Sequence, residues 1–550
     1  MDISVKQVSS LEKIRRGDAA PSDEIFRRMA LAGERVSYQI HLRSDTLLVL
    51  RAKVESALSD CVRVYYVRDA QMDSPVGSDI PREDYISLEP GLMPDILVPM
   101  ETTDFQLMSD AKGHTLWVKV DIPKDVTPGI YKIKVSFDGD DISGNPICAL
   151  TQTMILEVLP AVMPEQKLIY SRWFYADCIA VAHHVEIFSE KHWELIDKYV
   201  AAAADVGLNM LLVPIHTPPL DTAVGTARPC VQLVDITKTG DQYAFSFEKF
   251  KRYIAICKKH GIRYFEMAHL FSQWGAKFAP NIMVSENGKT EYLFGWHVAS
   301  DSPEYTNFLK QYIAAVYKEL EAEGISQNTY FHISDEPSLS AMKQYQTAAE
   351  IIRPLIQNCK TFDAISNYEF YENGLVECPV TLISHIQEFL KHDIPNQWVY
   401  YCCAPVTVYP NSLLAMPSYR VRILGLLCYK YNIKGFLHWG FNYFNASCSR
   451  YPINPYFTTS GDSEYPSGDP FIVYPGPDCV YPSIRGEVTY EAIQDMNICY
   501  ALEAKIGRDA VVKMIDEAAG GELDFDRYPR DKAYIEGLRA RMVAEIKKSL

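Results

Sequence analysis

Residues 1 to about 160 place apolar side chains at every second position over short runs: Val36, Tyr38, Ile40, Leu42; Val62, Val64, Tyr66; Leu116, Val118, Val120, Ile122; Tyr131, Ile133, Val135, Phe137; and Met154, Leu156, Val158. A period of two is that of a strand with one buried face. Turn residues such as Pro128-Gly129 and Asp138-Gly139-Asp140 separate the runs, and no long amphipathic helix intervenes. An antiparallel β-sandwich over 1–160 follows, with Leu159 to Pro164 as its exit linker.

The pattern then changes to apolar strand followed by helix, again and again. Strands are predicted near 168–175, 210–216, 263–270, 329–334, 361–366, 380–386, 398–403 and 435–441. Helical spacing lies between them at His192–Val206, Phe247–His260, Pro303–Glu323, Ser340–Gln357 and Pro417–Tyr431. Eight strands alternating with helices predict a (β/α)8 barrel over 165–506. A stretch dense in Pro, Gly, Tyr, Asp and Ser from 445 to 482 is too long for an ordinary connection and reads as a folded insertion over the barrel mouth, before a last helix at 483–506. Charged and apolar residues over 507–550 predict a C-terminal helical tail.

Composition narrows the function. The 550 residues are 48% hydrophobic and 12% aromatic, which is globular, and the formal net charge of −16 repels phosphate backbones and anionic lipid. Neither nucleic acid nor membrane is expected as a partner. No run approaches the roughly 18 to 20 apolar residues of a membrane span, and Met1 to Ser10 has no apolar signal core, so a cytoplasmic protein is expected. The 13 Cys include no C-x-x-C pair, only the vicinal Cys402 and Cys403, and suit reduced thiols. No metal-ligand spacing, G-x-G-x-x-G or G-x-S-x-G occurs, so no metal or organic cofactor is expected. The exposed sandwich offers area for a homo-oligomer.

In barrels of this kind reacting groups sit at the carboxyl ends of the strands. Those ends carry Trp173 and Asp177 (strand one), His216 (two), His269, Gln273 and Trp274 (three), Asp335 and Glu336 (four), His385 and Glu388 (six), Tyr400 and Tyr401 (seven), and Trp439 and Asn442 (eight), with Trp296 on the third loop. Indole faces stack on the apolar face of a sugar while His, Asn and Asp bond its hydroxyls, so carbohydrate is the expected ligand; equally, large aromatics fill space under long loops. Asp335-Glu336-Pro337 is the sharpest feature, because adjacent like charges push pKa values apart and leave one group as an acid. The plain alternative is that the pair opens the following helix. Strand neighbours point to opposite sides, so the two do not form an ordinary acid and nucleophile couple. Either the nucleophile comes from elsewhere, Asp177 or Glu388, or it is the substrate's own 2-acetamido oxygen, one carboxylate orienting the amide while its neighbour protonates the leaving oxygen.

His332-Ile333-Ser334-Asp335-Glu336-Pro337, together with Ala268 to Ala276, Gly435 to Asn442 and Gly468 to Gly476, resembles glycoside hydrolase family 123 and its glycosidase-like relatives over most of the chain. The resemblance implies a retaining β-N-acetylgalactosaminidase that works through an oxazoline, with Asp335 orienting the acetamido group and Glu336 as acid and base. Trp173, Asp177, His269, Gln273, Trp274, Trp296, Tyr401, Trp439 and Asn442 are expected to bind the sugar from their strand-end placement alone. The rivals are a glycosidase using Glu336 and a distant carboxylate on plain sugars, and a carbohydrate-binding protein without activity.

Overall fold

The computed structural model describes residues 2–19, 21–76, 84–100, 105–147 and 149–550, with the side chains of 105–108 left aside. Its contacts divide the chain into two compact units: 1–167 with 407–430 and 481–550, and 168–406 with 431–480.

The first unit contains the predicted sandwich. One sheet orders Ile3–Ser9, Arg35–Ser44, His114–Asp121, Val62–Met72 and Gly91–Met100, all antiparallel. The other orders Arg27–Ala32, Leu150–Val162, Gly129–Asp141, Leu48–Glu55 and Phe105–Ser109, antiparallel except where Arg27–Ala32 runs parallel to its neighbour. The alternating side chains from Val36, Tyr38 and Ile40 to Leu156 and Val158 meet between the sheets as one core. Leu48–Glu55, not among the predicted strands, alternates buried and exposed over its whole length.

The polar face of the first sheet departs from expectation. Ser37, Gln39 and His41 alternate with the core residues yet are buried. The helices Tyr419–Lys430 and Ile484–Ile506 and the C-terminal helices belong to this unit, and Trp117, Leu97 and Tyr65 pack with Val421, Ile484 and Val488. Buried charges there are paired: Lys119 and Arg35 both reach Glu487, at 3.1 and 3.2 Å, and Arg422 reaches Asp495 at 2.7 Å. The tail helix Lys532–Lys548 buries Ile535, Leu538, Met542, Val543 and Ile546.

The second unit is the barrel. Ile169–Arg172, Met210–Val213, Tyr264–Met267, Thr329–Phe331, Lys360–Ala364, Cys378–Leu382, Trp398–Tyr400 and Gly435–His438, strands one to eight, close in sequence order with all pairs parallel. The loops after strands two and three build a four-stranded sheet of their own from Asp235–Thr239, Gln242–Ser246, Ile282–Glu286 and Lys289–Phe294. The segment after strand eight lies close against the strand end. A Cβ on Gly440 would stand 2.5 Å from the Pro470 carbonyl oxygen, so only glycine fits there. Among the described residues no helix is long and apolar enough to cross a membrane.

Candidate active site

A cleft of about 860 Å³ opens at the carboxyl ends of the barrel strands. Asp335 and Glu336 both line it. Strand four stops at Phe331, so the alternation that separates neighbours on a strand no longer holds at the pair. Glu336 has φ +43°, in the left-handed region that non-glycine residues rarely adopt. Pro337 excludes the ordinary helical conformation from the residue before it. The resulting turn delivers two consecutive carboxylates to one cavity.

Each carboxylate is held. Gln273 Nε2 donates to Asp335 Oδ2 at 3.0 Å, and the Trp274 backbone N–H donates to the Asp335 carbonyl at 3.0 Å. Tyr400 OH donates to Glu336 Oε1 at 2.6 Å. Asp335 is buried where Glu336 is exposed, and burial, followed by the Glu336 charge, pushes its pKa well above the usual carboxylate range.

A third carboxylate lines the cleft, one the strand-end reading did not find. Asp221 lies eight residues beyond strand two, after Pro218-Pro219-Leu220, with φ +46°. Its backbone N–H donates to Gln273 Oε1 at 2.8 Å, so one glutamine amide ties this loop to Asp335. Burial raises Asp221 to about 7 against the pull of Arg228, with Glu336 adding to the rise. The rigid Pro-Pro turn ahead of a lone Asp is the sequence signal that marks it.

Beneath this floor lies a buried charge network. His332 Nδ1 donates to Asp363 at 2.8 Å and Nε2 to Glu266 at 2.5 Å. With a carboxylate on each nitrogen the ring is an imidazolium; those contacts overcome burial and raise its pKa to about 9. Glu266 also accepts from the Trp173 indole at 2.6 Å, which fixes a wall of the cleft. Asp363 accepts from the backbone N–H of Ile333 at 3.0 Å and of Ser334 at 3.4 Å, immediately before Asp335. His269 stacks on His332 with ring centroids 3.7 Å apart, and burial drives its pKa far down, so it is neutral. His269, His332 and Asp363 stand within metal-binding distance of one another, but both nitrogens of His332 are spent on carboxylates.

The remaining predicted residues divide. Trp173, Gln273, Trp274 and Trp439 line the cleft with the pair; Trp274 is 58% exposed at φ +56°, and Trp439 is fixed by its Nε1–H to Asp469 at 2.9 Å. The others lie off it. Asp177 is buried against Arg228 at 3.2 Å. His269 lies in the network below. Asn442 clamps the Tyr175 backbone with both ends of its amide, at 2.9 and 3.0 Å. Trp296 donates to the Thr226 carbonyl at 2.9 Å, and Tyr401 packs on Phe436 while its neighbour Tyr400 faces the cleft. Glu388 pairs with Lys391 at the surface, both side chains exposed. The 445–482 segment contributes Ser447, Cys448 and Tyr465 to the wall.

A closed parallel barrel with carboxylates and indoles gathered at the strand ends is the build of a glycoside hydrolase. The chain belongs to glycoside hydrolase family 123: the model of that family's catalytic domain matches residues 173–502. A solved family 123 glycoside hydrolase from Clostridium perfringens, studied for glycolipid glycan hydrolysis, superposes with a TM-score of 0.74 at 16% identity, covering 100% of this chain and 97% of that one. A β-glucuronidase from Parabacteroides merdae aligns with a TM-score of 0.32 at 10% identity, over 90% of this chain and 51% of that one. No curated protein matches the chain.

Proposed function

We propose that this glycoside hydrolase removes terminal β-linked N-acetylhexosamine, N-acetylgalactosamine first, with retention through an oxazoline. Asp335 orients the 2-acetamido group and carries part of the charge that develops on it; Glu336 protonates the leaving oxygen and later deprotonates water. The observation that carries this reading is the presence of two consecutive carboxylates on one cleft. A substrate-assisted reaction needs an orienting group beside an acid and no nucleophile across the ring. As a carboxylate, Asp335 accepts the amide N–H and offsets the positive charge that grows on it, which also favours ionisation of this buried group in the transition state. Trp173, Trp274 and Trp439 supply faces for the sugar ring. Asp221, Asp335 and Glu336 line a wall that, among the described residues, holds no Lys or Arg, which favours a neutral sugar and a cationic transition state over an anionic uronide. The glycolipid glycans of the Clostridium protein suggest the kind of chain from which the sugar comes.

Asp221 favours a second reading, in which a carboxylate from another strand end serves as nucleophile on sugars without an acetamido group. Release of nitrophenol from β-GalNAc, β-GlcNAc, β-Gal and β-Glc separates the two. The first reading expects turnover confined to acetamido sugars, inhibition by an amino-sugar thiazoline, and a loss of roughly 10²–10⁴-fold in Glu336→Gln. Asp335→Asn is expected to slow acetamido substrates specifically. Turnover of plain glycosides that survives Asp335→Asn and fails in Asp221→Asn would replace it with the second.

A further inference from the structure

Three cysteines stand in the wall of the catalytic cleft: Cys402 and Cys403, just past strand seven, and Cys448 from the segment after strand eight. Cys402 and Cys403 are consecutive, half-buried and not joined in a disulfide, with their sulfurs 3.8 Å apart. Glycoside hydrolysis as derived above gives these thiols no role. We propose that Cys402 and Cys403 form a dithiol that captures a thiophilic centre with two exchangeable positions, a trivalent arsenical being the class that fits, and that this capture closes the cleft.

The sulfur spacing carries the argument. Two bonds of about 2.3 Å, the length of a metal–thiolate bond, opening from a pyramidal centre at roughly 100° span about 3.5 Å. At 3.8 Å the pair has to close by only about 0.3 Å to share a single bridging atom. A direct bond is less well served: neighbouring Cα atoms stand about 3.8 Å apart across a trans peptide, inside the roughly 4.4–6.8 Å that disulfides use. The surroundings of Cys402 narrow the class. The hydrogen bond to Cys403 and then burial raise Cys402 well above the usual thiol range, with Asp469 and Glu336 adding to the rise. A protonated thiol is slow towards peroxide and alkylating agents, and an anionic thiolate–metal complex is disfavoured beside those carboxylates. A trivalent arsenical avoids both penalties. In R–As=O plus two S–H groups, both S–H bonds and the As=O bond break, two As–S bonds form, and the oxygen leaves with the two protons as water. Arsenic stays trivalent and the product is uncharged. Tyr400 and Glu336 line the same cleft, so the group R lies where the sugar must enter.

The test uses the full chain, reduced with a phosphine and titrated with phenylarsine oxide, read by intact mass and peptide mapping. One adduct per chain is expected, weighing the reagent less one water, on the peptide holding residues 402 and 403. Cys402→Ser and Cys403→Ser should each lose it, and Cys448→Ser should keep it. Glycosidase activity should fall in step with the adduct and return on adding 2,3-dimercaptopropanol. An adduct mapped elsewhere, or one that survives both substitutions, would overturn the site; an adduct at 402 and 403 with unchanged turnover would overturn closure. Tight zinc binding lost in the same two variants would make this a metal–thiolate site instead. Should a variant fail to fold, mapping on the unaltered chain decides. The mass readout needs no glycoside, so its failure is separate from failure of the proposed substrate.

Discussion

Asp221 is the residue whose substitution divides the mechanisms most cleanly. Its charge helps to raise the pKa of Asp335, so in the proposed mechanism Asp221→Asn lets Asp335 ionise at lower pH. The acid limb of the kcat/KM profile should then move to lower pH with most of the rate retained. A nucleophilic Asp221 would instead take the rate with it. His332 makes a second residue-scale prediction. Its folded pKa of about 9 lies above the roughly 6.5 of an unfolded histidine. The stabilisation is fully present below about 6.5 and is lost as pH rises through about 9. Urea midpoints should fall across that window, and the fall should flatten in His332→Gln. Residue identity at the strand ends was only partly legible in the sequence. Tyr400 and Tyr401 share a chemistry and differ in direction, which strand periodicity fixes only if the strand's last residue is known. Asp177 and Asn442 have the right types in the right places but satisfy internal partners, Arg228 and the Tyr175 backbone. Only a neighbour distant in sequence tells a paired carboxylate from one aimed at ligand.

Among the elements, the eight barrel strands were legible because each is an apolar run ended by polar residues at the mouth. The four-stranded sheet built by the second and third loops was not. Its strand Lys289–Phe294 buries only Phe294 and so lacks a buried-face pattern. The loop after strand four depends on the next strand of the barrel: Asp363, in strand five, holds the N–H groups that precede Asp335 and Glu336. Asp363→Asn keeps the shape and weakens this clamp and the His332 pairing. It should lower kcat by about 10²-fold with KM little changed, since a displacement of about 1 Å at the reacting groups costs that much. Steady-state kinetics on the best acetamido glycoside checks it.

Across the whole molecule, the order of the chain and the order of its contacts differ. The unit that begins the sequence is completed by residues 407–430 and 481–550. Alternation over 1–160 predicted the sandwich, yet could not predict that Ser37, Gln39 and His41 are covered, because a polar face reads the same whether water or a helix lies over it. Glu487 joins these distant segments by neutralising Lys119 and Arg35, both buried. Glu487→Ala removes the carboxylate that the two buried cations share, while Arg35 keeps Asp121 at 2.6 Å, and should cost about 3 kcal/mol, read as a lower urea midpoint. The same logic expects a fragment of residues 1–160 alone to expose Trp117 and Leu97 and to bind a hydrophobic dye.

The left-handed turn at Glu336 sets stability against activity. An L-residue held there costs about 1–2 kcal/mol relative to its preferred backbone, and glycine does not incur that cost. Glu336→Gly should therefore melt at a higher temperature than the parent while releasing no nitrophenol. Any screen that rewards heat resistance alone would favour this inactive form, so thermal selection of the enzyme has to score turnover at every round.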